Sequence, residues 1–111
     1  MKRSSYNIPE DNKYYLFFGN LANPLRIEII TCLKEKDMNV GEISKKIGVE
    51  QSKLSHALSN LRECNIVNVK QKGKERVYSL NRKTILPMLK IIDNHAQINC
   101  KGNCAICKIK H

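Results

Sequence analysis

The stretch Asn39–Leu80, NVGEISKKIGVEQSKLSHALSNLRECNIVNVKQKGKERVYSL, changes its hydrophobic period once, and that change decides the fold. Asn39 and Glu42 have the spacing of a capping box, and Val40, Ile43 and Ile47 form one apolar stripe that stops at Gly48. A second helical period follows over 51–63, where Leu54, Ala57, Leu58 and Leu61 share one face. Gln51, Ser52, Ser55, His56 and Ser59 are left on the other. After Asn65 the period falls from 3.6 to 2. Val67 and Val69 alternate with Asn68 and Lys70, Lys72-Gly73-Lys74 turns the chain, and Tyr78 and Leu80 alternate back. The stretch therefore predicts a short helix, a tight turn, a second helix and a hairpin with a basic tip.

The flanks extend this pattern. Residues 1–9 are polar and predict a flexible N-terminus. Glu10–Asn20 carries Tyr14, Leu16, Phe17 and Phe18 in a short, strongly apolar helix. Asn23-Pro24 opens the next helix, because Asn caps free N–H groups and Pro is tolerated at the first position. Leu25, Ile29, Ile30 and Leu33 repeat at helical spacing until the charged run at 34–37. A last helix is expected from Thr84 as cap, with Pro87 in its first turn and Ile85, Met88, Leu89 and Ile92 as its stripe. One domain over 10–99 and a cysteine-rich basic tail over 100–111 complete the division. The predicted class is mainly α with a small β-hairpin: a winged helix-turn-helix of five helices and a two-stranded wing.

Charge narrows the partner. The 111 residues hold 20 Lys and Arg against 10 Asp and Glu, a net charge of +10. Between Lys70 and Lys90 there are seven basic residues and one acid, Glu75. Positive charge clustered in this way points to a polyanion, most commonly nucleic acid. The longest unbroken apolar run, Tyr14–Phe18, is far too short to span a membrane, and no apolar run follows the basic N-terminus as in a secretory signal. The expectation is a cytoplasmic protein with no membrane partner. Its five cysteines would then be reduced thiols or metal ligands. No nucleophile–base pair and no phosphate-binding glycine loop is evident, so an enzyme is not expected.

A helix enters the DNA major groove when one face packs on its domain and the other carries hydrogen-bonding side chains. Gln51 and Ser52 lie at the N-terminal end of the second helix, where base edges are usually reached. Ser55 and His56 follow on the open side. Gln suits adenine, and His suits guanine or a phosphate. Lys53 and Arg62, with Lys70, Lys72, Lys74 and Arg76 of the hairpin, suit phosphates. A polar helix face alone is ordinary solvated surface. Here the order of elements makes it a reading face.

Three motifs then carry a resemblance. Leu21-Ala22-Asn23-Pro24-Leu25-Arg26, Gln51-Ser52-Lys53-Leu54-Ser55-His56-Ala57-Leu58 and Leu61-Arg62-Glu63-Cys64-Asn65-Ile66-Val67 resemble the ArsR/SmtB winged-helix transcriptional repressors over about residues 10–98. The resemblance implies a homodimer through the first and last helices, with two reading helices on a palindromic double-stranded operator until an inducer releases them. Glu50 departs from the family's usual Ser cap. The family's thiolate pair falls here on Asn39 and Gly41, so that site is absent. Its zinc site keeps Asp93 and His95 but loses its second half to Ile106 and Ile109.

Cys100, Cys104 and Cys107 fall within eight residues of the tail. Thiolates on such a turn can converge on one soft ion, and nearby lysines favour their deprotonation. The fourth ligand of a tetrahedral Zn site could be His111, Cys32, Cys64 or a residue of a second subunit. Three thiolates alone would suit trigonal As, Cd or Pb, and the spacing also occurs in Fe-S sites. Metal or redox sensing is expected there, whereas Cys32 and Cys64 are expected as small core residues. The rival reading is a protein–protein interaction module with a structural zinc tail.

Overall fold

The computed structural model describes residues 11–99, and backbone contacts divide them after Leu80 into two units. The first contains α1 (Lys13–Leu21), α2 (Pro24–Glu35), β1 (Met38–Asn39), α3 (Val40–Ile47), α4 (Gln51–Glu63), β2 (Val67–Lys72) and β3 (Glu75–Leu80). The second contains α5 (Ile85–Asn99). The mainly helical class with a small antiparallel sheet is as the periodicity predicts.

Caps place the helices. Asn12 Oδ1 accepts from Tyr15 N at 2.9 Å, which starts α1 at Lys13 rather than at Glu10. Asn23 Oδ1 accepts from Arg26 N at 3.1 Å, with Pro24 at the first position of α2. The predicted capping box of α3 is reciprocal: Glu42 N donates to Asn39 Oδ1 at 2.8 Å, and Asn39 N donates to Glu42 Oε1 at 2.9 Å. Gly48 ends α3 at φ 70°, ψ 39°, a left-handed conformation that disfavours a Cβ. The Ser44 hydroxyl donates to Val49 O at 2.6 Å across the turn. At the far end of α4, Asn65 at φ 56° lets its own N–H reach Arg62 O and Ile66 N–H reach Leu61 O, both at 2.9 Å. This is a Schellman closure, and Leu61 and Ile66 are both fully buried beside it.

The two-stranded wing is present as β2 and β3, and the sheet carries one strand more than expected, in the order β1-β3-β2. Two residues, Met38 paired with Tyr78 and Asn39 with Val77, add the extra strand before α3. Two residues are too few to show a period, so the sequence carried no strand signal there. β2 and β3 pair from Val67↔Leu80 to Lys72↔Glu75. The core of this unit is Ile29, Ile30, Leu33, Met38, Ile43, Leu54, Leu58, Leu61, Ile66, Val67, Tyr78 and Leu80. Each fully buried aliphatic chain contributes about 1.5–3 kcal/mol.

Two further expectations need correction. Cys32 is buried as expected, but Cys64 is exposed. It is the C-cap of α4, beyond the last inward turn, and its Sγ accepts from Asn20 Nδ2 of α1 at 2.9 Å. In the second unit Thr84 does precede α5, yet the side-chain acceptor there is Asn81, whose Oδ1 takes Lys83 N at 3.0 Å and Thr84 N at 3.3 Å. Ile85 is buried, while Ile92 of the predicted stripe is 48% exposed, and Ile91 and Ile98 are exposed to 69% and 58%.

Candidate nucleic-acid interface

The two helices that matter are held from beneath. α3 and α4 pack on each other and on α2, and α4 also packs on β2. Leu54, Ala57, Leu58 and Leu61 are all buried, so the inward face of α4 is the one its spacing predicts. Gln51, Ser52, Lys53, Ser55, His56, Ser59 and Arg62 are all exposed along its outer side. The N-terminus of α4 is open: Glu50 occupies the cap position but its side chain makes no capping hydrogen bond. An ideal Cβ on Gly41 would lie 3.3 Å from Asn39 Oδ1 and 3.8 Å from Gln51 Nε2, so the tight neighbour of this glycine is the cap of α3, and the Gln51 amide lies beside it at ordinary contact distance.

The hairpin supplies the charge, but on two faces. Lys70 lies opposite Val77 and Lys72 opposite Glu75, whereas Gln71 lies opposite Arg76. Side chains alternate along a strand, so Lys70 and Lys72 share one face and Arg76 projects from the other. Lys74 stands in the turn after Gly73, which adopts φ 61°. All four cations are exposed. Gln71 Nε2 donates to Gly73 O at 3.0 Å and steadies that turn. A basic tip with cations on both faces can straddle a phosphate backbone, and those contacts position a protein without reading sequence.

Elsewhere the structure brings together groups that spacing alone did not. Asn39 Nδ2 donates to Glu75 Oε1 at 3.1 Å, joining the cap of α3 to the tip of the hairpin. Arg26 donates to Asn20 O at 3.1 Å and to Asn20 Oδ1 at 2.9 Å, and Asn20 in turn holds Cys64. Only a lone acid in a basic hairpin hinted at the first of these. Lys46 and Glu35 form an ion pair at 3.0 Å between α3 and α2, which holds Lys46 above its ordinary pKa. Both ends are more than half exposed, so the pair contributes little stability. Burial pushes the Cys32 thiol up, against the opposing charge of Lys46.

Among the described residues no group of three or more His, Cys, Asp or Glu side chains is placed to hold a metal ion. His95 Nδ1 and His95 O both lie 3.2 Å from Asn99 Nδ2. The sequence-predicted ligands Cys100, Cys104, Cys107 and His111 lie outside the described residues. No described helix is long and apolar enough to cross a membrane.

A capped helix, a glycine turn, a helix with an open polar face and a basic hairpin together define a winged helix-turn-helix of the DNA-binding kind. Comparison with known proteins agrees. Residues 23–69 match the domain described as bacterial regulatory protein, arsR family. The uncharacterized HTH-type transcriptional regulator Rv0081 of Mycobacterium tuberculosis is 38% identical over 76 residues, 68% of this chain and 67% of that one. Its crystal structure superposes with a TM-score of 0.73 at 31% identity, covering 83% of this chain and 93% of that chain. The nodulation protein NolR of Rhizobium meliloti is 36% identical over 73 residues, 66% of this chain and 60% of that one. HlyU from Vibrio cholerae superposes with a TM-score of 0.67 at 26% identity, over 84% of this chain and 100% of that chain. The chain belongs to the ArsR family of bacterial regulatory proteins: it is a DNA-binding transcriptional regulator and not an enzyme.

Proposed function

We propose that the protein is a homodimeric repressor that reads a palindromic operator with α4 and is released by a signal at its C-terminal cysteines. One observation carries the DNA reading: every polar side chain assigned to base or phosphate contact on α4 and the hairpin is exposed, while the opposite face of α4 is buried. Gln51, Ser52, Ser55 and His56 read base edges. Lys53, Arg62, Lys70, Lys72, Lys74 and Arg76 anchor phosphates. Dimerisation is supported by apolar side chains left open on α1, where Tyr14, Tyr15, Leu16 and Phe18 are about 50–60% exposed. Tyr14, Tyr15 and Phe18 line one shallow apolar hollow, the kind of feature that marks an association surface. A twofold dimer gives two copies of α4 and therefore a twofold-symmetric site.

The signal is assigned to Cys100, Cys104 and Cys107, with His111 as a fourth donor, on the chemistry of that donor set. Three thiolates hold a soft ion such as Zn, Cd, Pb or As, and oxidation of the same thiols would serve a redox signal. Either event must favour a dimer geometry that fits the operator less well. Metal content of the purified protein against a Cys100/Cys104/Cys107→Ser variant tests the site, and equal content would exclude it.

Fluorescence anisotropy separates base reading from phosphate anchoring. Gln51→Ala with Ser55→Ala should lower operator affinity and leave non-cognate affinity nearly unchanged. Lys72→Ala should weaken both alike and shallow the salt dependence by about one unit of log–log slope per subunit. Unchanged operator binding by the Gln51/Ser55 variant would refute the assignment of α4.

A further inference from the structure

Glu75 is the one acid within the basic run 70–83, at the tip of the element that meets the phosphates. There its charge opposes binding, so it needs another use. β1 pairs with β3 only as far as Asn39↔Val77, and the hairpin tip projects past that last rung. The Glu75 carboxylate lies beyond it and accepts from Asn39 Nδ2 at 3.1 Å. The rest of Asn39 is already committed to α3 through the capping box: Oδ1 to Glu42 N and its own N–H to Glu42 Oε1. α3 in turn packs on α4. Glu75 is therefore tied, through the same asparagine that caps α3, to the helix pair that aims the reading face.

We propose that Glu75 is a positioning residue of the wing: its hydrogen bond to Asn39 fixes the hairpin tip relative to the α3–α4 pair and so raises the preference for operator over non-cognate DNA. The proposal rests on the DNA reading above and adds to it a determinant that contacts no base. A wing held at one angle meets phosphates in register only when α4 sits in the groove at its own sequence. A wing set loose meets phosphates on any duplex.

Charge and tether are separable by substitution. Glu75→Gln keeps an acceptor for Asn39 and removes the charge, so affinity for all duplexes should rise while the operator/non-cognate ratio stays at the wild-type value. Glu75→Ala removes both, and the ratio should fall about threefold, the low end of what one hydrogen bond contributes. Asn39→Asp retains the cap oxygen but loses the donor, and its ratio should fall as well. The double variant Asn39→Asp/Glu75→Gln reverses the polarity of the bond at unchanged net charge and should restore the ratio.

The measurement is anisotropy with the full chain, using a duplex selected from a random pool by the wild-type protein and a scrambled duplex of the same composition. Thermal melts establish that each variant is folded. Equal ratios for Glu75→Ala and Glu75→Gln, both on an exposed strand end that tolerates substitution, would overturn the tether while leaving DNA recognition standing. Failure of the wild-type protein to select any duplex would overturn both.

Discussion

Cys32 and Cys64 have the same side chain and opposite surroundings. Cys32 is 5% exposed within the buried face of α2, and burial raises its thiol above the ordinary 9.0. Cys64 is exposed at the end of α4 and accepts from Asn20. With the tail cysteines replaced by Ser, a thiol reagent at pH 8 should label Cys64 within minutes and Cys32 only as fast as the protein opens. Equal rates would place Cys32 outside the core. The pH consequence follows from the direction of the shift. A thiol whose folded pKa is raised adds stability below its unfolded value, and that stability is lost as pH rises through the folded value. Denaturation at pH 8 and pH 10 should therefore show a larger loss for the wild-type protein than for Cys32→Val. The sequence could not separate the two cysteines, because both stand beside apolar neighbours. What differs is that one lies on the inward stripe of a helix and the other just past a helix end, where burial depends on what packs there.

At the scale of elements, α4 is the most legible part of the chain, yet its N-terminus lacks the side-chain cap that α1, α2 and α3 have. Leu54, Ala57, Leu58 and Leu61 announce a helix because four apolar residues at 3.6 spacing leave no other face to bury. Gly48 and Asn65 mark its borders because each adopts positive φ. Strand β1 and the Asn39–Glu75 bond were not legible. A two-residue strand has no period, and a bond between residues 36 apart exists only once the fold has formed. The capping deficit yields a prediction. Glu50→Asp keeps the charge that favours a helix N-terminus and shortens the chain to one that accepts from the first turn. It should stabilise the protein by about 1 kcal/mol, raising the melting temperature by roughly 4–8 °C. Conversely, Leu58→Ala should cost about 2–5 kcal/mol, since Leu58 is fully buried beneath the reading face. Calorimetry measures both, and no gain for Glu50→Asp would show that this N-terminus is satisfied in another way.

For the whole molecule, the net charge of +10 suits association with DNA, and the open apolar side chains of α1 are the surface proposed above for a second copy. They respond to different variants. Phe18→Glu should give a monomer in sedimentation velocity and weaken operator binding. Substitutions on α4 should leave the dimer intact. The general class and the DNA reading were legible because they depend on the order of elements, which a linear sequence records directly. The release signal proposed above rests on three cysteines whose chemistry suits several ions, so spacing alone does not choose among them. The central claim is that α4, repeated by a twofold axis, reads sequence. Selection of bound duplexes from a random pool by the wild-type protein and by the Gln51→Ala/Ser55→Ala variant tests it most directly. The wild-type protein should enrich an inverted repeat whose half-sites lie about 10–10.5 base pairs apart or a multiple of that, and the variant should enrich none. Enrichment of the same repeat by both proteins, or of no sequence by the wild-type protein, would contradict it.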